Sequence, residues 1–79
     1  MITPAQCRMA RAGLGWSETQ LARAVGVGLA TVSRFETGQV QTQPATVEAI
    51  QRALEAAGVE FTAENDDGSG VKLHKDRIG

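Results

Sequence analysis

The 79-residue chain holds few side chains that could carry chemistry. Gly26-Val27-Gly28 is a glycine-x-glycine, the opening of loops that cradle a cofactor phosphate. Such a loop needs a strand before it, a third glycine and a strand after it. Here the preceding residues read as helical, Thr31 stands at the third glycine position, and no parallel sheet can be drawn from the chain. The Gly-Lys-Ser/Thr ending of the other phosphate loop is missing as well. Cys7 and His74 are the single cysteine and histidine, from which no metal cluster or nucleophile–base set can be assembled. Glu64, Asp66 and Asp67 lack the spacing of a calcium loop and read as a solvated acidic connection. No enzymatic activity, metal or cofactor is expected.

The same glycines have another use, as the turn between two helices. Thr3-Pro4-Ala5-Gln6 has the pattern of a capping box with proline at the first helical position, and Ile2 and Cys7 sit at staple spacing. That helix should stop at Gly13-Leu14-Gly15. Ser17-Glu18-Thr19-Gln20 is a second capping box, with Trp16 and Leu21 again at staple spacing. The second helix should end near Val25, because Gly26 suits the left-handed residue after a helix. A third helix is expected from Leu29 to Thr37, closed by Gly38. After a polar loop over 39–43, Pro44 starts a fourth, with Val47, Ile50, Leu54 and Ala57 in helical spacing up to Gly58.

On a helical wheel, Val32 and Phe35 of the third helix share one side, with Glu36 at its edge. Leu29, Ala30, Ser33, Arg34 and Thr37 spread over about 140° of the other. One face is a core stripe. The other is small and polar around one long cation, a profile that suits a DNA groove better than a core. Two helices joined by a short glycine-containing turn form a helix-turn-helix, whose second helix enters the major groove.

After Gly58 the apolar period changes from helical to alternating. Val59 and Phe61, then Val71 and Leu73, predict two short strands around the acidic, glycine-containing 63–70. The domain organisation expected is a helical DNA-binding unit over 1–58 and a strand-and-tail element over 59–79. Two strands are not stable alone. Pairing with the same strands of a second copy would complete a sheet and bury Val59, Phe61, Val71 and Leu73; folding back on the chain's own helices is the competing arrangement.

The net charge of −1 is unlike that of a strongly basic nucleic-acid binder. It conceals an uneven spread: residues 1–58 carry five arginines against four glutamates, whereas 59–79 carry three basic and five acidic side chains. There is no long apolar run to span a membrane and no signal-peptide pattern, and a single cysteine excludes an internal disulfide. A cytoplasmic protein is expected, associated with the nucleoid when bound to DNA.

Gln20-Leu21-Ala22, Gly26-Val27 and Thr31-Val32-Ser33-Arg34-Phe35-Glu36-x-Gly38 resemble the helix-turn-helix of the lambda-repressor and Cro-like regulators, the XRE family. The resemblance is strongest over 17–38 and extends loosely from 5 to 58. It implies a mainly α fold, a compact bundle of four to five helices binding operator DNA as a dimer, here followed by the short strand pair. It places Gly28, Leu29, Ala30, Ser33 and Arg34 at base edges, and Ser17, Glu18, Thr37 and Gln39 near phosphates. Arg34 suits guanine or a phosphate. Leu29 and Ala30 suit a thymine methyl, although Leu29 equally suits the core margin. Gly28 stands where the family more often has serine, and Glu18 where many relatives carry a phosphate-binding glutamine. Arg11 falls within the buried stripe of Cys7, Ala10 and Leu14, and its expected partner is Glu36, in a structural salt bridge that family members also form.

These readings converge on a prokaryotic or phage transcriptional regulator, a repressor binding an inverted-repeat operator in double-stranded DNA as a homodimer. The alternative is an antitoxin-like protein-interaction module in which the acidic tail docks a protein partner and DNA binding is secondary.

Overall fold

In the computed structural model, which describes residues 2–38, 42–65 and 68–73, four helices precede a β-hairpin. The helices are α1 (Pro4–Leu14), α2 (Glu18–Val25), α3 (Leu29–Thr37) and α4 (Pro44–Ala56); the strands are β1 (Val59–Asn65) and β2 (Gly68–Leu73). This is the mainly helical fold expected, with the strand pair near the C-terminus.

Local chemistry explains where the helices begin. The Thr3 hydroxyl accepts from the Gln6 N–H at 3.1 Å, and the Gln6 carboxamide accepts from the Thr3 N–H at 2.9 Å. Ser17 and Gln20 repeat the exchange at 3.1 and 2.8 Å. Each box satisfies two backbone donors that a helix start would otherwise leave unpaired. The residues ahead of these caps clamp the entries: Ile2 and Cys7 are both buried, and Trp16 packs against the cluster containing fully buried Leu21.

The core lies between the four helices. Cys7 and Ala10 of α1, Leu21 and Ala22 of α2, Val32 and Phe35 of α3, and Val47, Ile50 and Leu54 of α4 meet there. Leu21, Ile50, Leu54, Val32 and Cys7 are its largest fully enclosed side chains. Gln6 is buried too, a polar residue that helical periodicity did not single out.

The strands adopt the within-chain arrangement. β1 pairs antiparallel with β2, with Val59 opposite Leu73, Glu60 opposite Lys72 and Phe61 opposite Val71, and an irregularity between Thr62 and Asn65. β1 lies on α4 and β2 on α1. Val59 is only 3% exposed and belongs to the helical core, and Phe61 and Val71 pack against that core. Much of the apolar surface expected at a contact between copies is therefore spent inside one chain. The side chain of Leu73 lies outside those described, as do Asp66, Asp67 and His74 altogether. Glu60 and Lys72 occupy the exposed face. Among the described residues, no helix is long and apolar enough to cross a membrane.

Candidate nucleic-acid interface

Three residues connect α2 to α3, and the two glycines among them differ. Gly26 sits at φ 88°, left-handed backbone that costs a side-chain-bearing residue about 1 kcal/mol or more. Its N–H donates to the Ala22 carbonyl at 2.8 Å and the Val27 N–H joins it at 3.1 Å, closing α2. Gly28 has φ −73°, which any residue adopts, and caps α3 with no side-chain hydrogen bond. A phosphate-cradling loop is excluded, because helix and not strand precedes the turn.

The turn presents α3 with Val32, Phe35 and Glu36 inward. Glu36 is the unusual member, a carboxylate whose side chain is 2% exposed. From α1, Arg11 meets it with one edge of its guanidinium, as a bidentate pair: Nε donates to Oε2 at 2.8 Å and Nη2 to Oε1 at 2.9 Å. The remaining nitrogen, Nη1, donates to the Trp16 carbonyl at 3.0 Å, so one side chain ties α1, the α1–α2 turn and α3 together. The Cys7 thiol donates to Oε2 at 3.4 Å, and Arg8 donates to the Glu36 main-chain carbonyl near the negative end of α3. The salt bridge expected between Arg11 and Glu36 is thus present, with partners beyond the expected pair.

The electrostatics follow from this enclosure. Burial pushes the Cys7 thiol from 9.0 up to about 12, and the adjacent Glu36 carboxylate adds to the rise. Burial also opposes ionisation of Glu36. The Arg11 hydrogen bonds, the Cys7 thiol and the Arg11 charge outweigh it and hold Glu36 below its ordinary 4.5. The guanidinium of Arg11 is raised, by its hydrogen bonds to Glu36 first and with the charge of Glu18 contributing. Among the described residues, no group of His, Cys, Asp and Glu is placed to hold a metal ion.

The opposite side of α3 is open. Leu29 is 48% exposed, which places it outside the core margin. Gly28, Ala30, Arg34 and Thr37 are exposed, and Ser33 is half-buried. All five residues expected at base edges therefore lie on one stretch of α3 and its cap. The Thr37 hydroxyl donates to the carbonyls of Ser33 and Arg34 at 3.0 and 3.2 Å, so it must rotate before it can donate to a phosphate. Ser17 accepts in its own cap and keeps its O–H proton available. Glu18 is half-buried at the start of α2, and Gln39 lies outside the described residues.

Beside α3 is a cleft of about 320 Å³ lined by Thr31 and Arg34 of α3 and by Thr42, Gln43 and Thr46 at the start of α4. Sequence reasoning did not bring Thr42 and Thr46 to Arg34. The available signal was Pro44, which fixes where α4 begins and so which hydroxyls surround its first turn.

No curated protein sequence matches the chain. A family model described as a helix-turn-helix domain matches residues 5–63, from the first turn of α1 into β1. With two capped helices joined by a glycine turn, and α3 seated on the bundle by one face, the chain belongs to the DNA-binding helix-turn-helix domain family of XRE and Cro-like proteins.

Proposed function

We propose that the protein is a sequence-specific transcriptional regulator, a repressor that occupies promoter DNA as a homodimer on an inverted repeat. The observation that carries this reading is the division of α3: Val32, Phe35 and Glu36 are buried, whereas Leu29, Ala30 and Arg34 project from a surface that no other part of the described chain covers. A helix enters the major groove in that attitude. Arg34 reads guanine, where arginine makes a bidentate pair with O6 and N7. Phosphates are met by Ser17 and the start of α2, whose free amides attract anions without a cationic side chain, and by the loop after α3 around Thr37 and Gln39. Two copies would set their α3 helices ~34–36 Å apart, one turn of DNA.

The experiment is a gel shift on DNA upstream of the protein's own gene at two salt concentrations, with the parent and Arg34→Ala. Loss of ~1–3 kcal/mol confined to one base position identifies a base contact. A uniform loss with a shallower salt dependence identifies a phosphate contact instead. Sedimentation of the intact chain across a concentration series tests the dimer.

The net charge of −1 and the exposed Met9 and Leu29 favour a second reading, an antitoxin-like module for which a protein is the main partner. Absence of duplex binding at low salt would promote it.

A further inference from the structure

The leading edge of α3 contains no side chain able to exchange a hydrogen bond with a base. Gly28 has no side chain, and Leu29 and Ala30 offer only alkyl groups. The next residue, Thr31, is half-buried and turned into the cleft shared with Thr42 and Thr46. Leu29 is one of two large apolar side chains left exposed among the described residues, and the other, Met9, is on α1. We propose that Leu29, flanked by Ala30, is a reader of the pyrimidine C5-methyl group in the major groove, accepting thymine and 5-methylcytosine alike. This rests on the DNA-binding reading above and gives it a specificity.

The chemistry is one of elimination. In the major groove thymine shows an O4 acceptor and a C5-methyl, whereas cytosine shows an N4 donor. A side chain with hydrogen-bonding groups separates the two by that acceptor or donor. Leu29 has neither, so the only feature it recognises is an apolar group removed from water. Adding a methyl to cytosine supplies that feature without changing the sequence. The protein therefore binds certain cytosine-containing sites more tightly when they are methylated. Arg34 lies five residues further along α3, ~7.5 Å at 1.5 Å per residue. The methyl consequently falls within about two base pairs of the Arg34 contact, since stacked bases are ~3.4 Å apart.

The test begins by selecting bound duplexes from a random library with the intact chain. At the pyrimidine position nearest the Leu29 contact, four duplexes are compared: thymine, deoxyuridine, 5-methylcytosine and cytosine. Deoxyuridine removes the methyl and leaves every hydrogen-bonding group in place. The expected result is tighter binding of thymine over deoxyuridine by about fourfold per half-site, as burial of one methyl predicts. The same ratio is expected for 5-methylcytosine over cytosine. Leu29→Ala, with its fold checked by melting, should bring both ratios toward one.

A ratio of one in either pair for the parent protein overturns the proposal, as do ratios unchanged in Leu29→Ala. Duplex binding without enrichment of any sequence overturns it while leaving the DNA-binding reading intact. Failure to retain any duplex at low salt removes both.

Discussion

Arg34 and Glu36 stand two residues apart on α3 and face opposite ways, one exposed and the other enclosed by Arg11, Cys7 and Arg8. At 100° per residue such neighbours point about 200° apart. The helix thus separates a group that positions it from a group available to DNA. Each can be altered and measured without the other.

Arg11→Ala should destabilise the fold by ~3–5 kcal/mol, because it strands the Glu36 carboxylate in the core. For a domain of this size that lowers the melting temperature by more than ~10 °C. Arg11→Ala combined with Glu36→Ala should be less destabilising than the two single changes added together, since no buried charge is then left unpaired. Thermal melts of the three variants give the coupling. An Arg11→Ala protein that melts like the parent would show that Glu36 is not held by this contact.

Stability should fall at both ends of the pH scale. Glu36 has a lower pKa folded than unfolded, so its contribution is complete above 4.5 and is lost as pH drops through the folded value. Cys7 runs the other way. Its folded pKa of about 12 exceeds 9.0, so the folded form keeps a proton that the unfolded chain releases. Its contribution is present below pH 9.0 and declines as pH rises from there toward 12, by up to about 1.4 kcal/mol per pH unit. Denaturant midpoints at pH 3, 5, 7 and 10 measure both limbs, and Cys7→Ala should flatten the alkaline one. At pH 8 the buried thiol of the parent should react with a thiol reagent only after unfolding.

Gly28→Ser should raise stability by about 0.5–1 kcal/mol. Serine supplies the side-chain cap that α3 lacks, and replacing glycine reduces the freedom of the unfolded chain. The backbone permits it: φ is −73° and an added Cβ meets nothing within 4 Å. A melting temperature raised by several degrees is the expected readout. A decrease would mean that the cap geometry does not accept a hydroxyl.

Glu18→Gln should tighten DNA binding by up to roughly fivefold at low salt, since one carboxylate is removed from the helix start proposed to meet a phosphate. A small loss of stability accompanies it, because a negative charge in the first turn of α2 is favourable. Titration of one duplex with both proteins decides the matter. Equal affinities would assign the Glu18 charge to its neighbour Arg11 and not to the DNA-facing surface.

Much of this was legible because it is written in short-range chemistry. Thr3 with Gln6 and Ser17 with Gln20 are complete within four residues, and their boxes stand where the spacing places them. The sides of α3 follow from one helical period, and Arg11 had to find an acid. Longer-range features were harder to read. Alternation at Val59, Phe61 and Val71 defines a strand face without naming the surface that covers it, and α1 and α4 proved to be that surface. The burial of Gln6 and the bond from Cys7 to Glu36 depend on residues of different helices, so no local pattern announces them. For Thr42 and Thr46 beside Arg34, Pro44 marks only where α4 begins.

Because α3 is seated through Val32, Phe35 and Glu36, its outer positions carry almost none of the cost of folding. Duplicated genes could drift at 29, 30, 33 and 34 and acquire new targets while inheriting an intact scaffold. A library varied there among residues other than proline and glycine would stay folded, and selection on it would act on recognition.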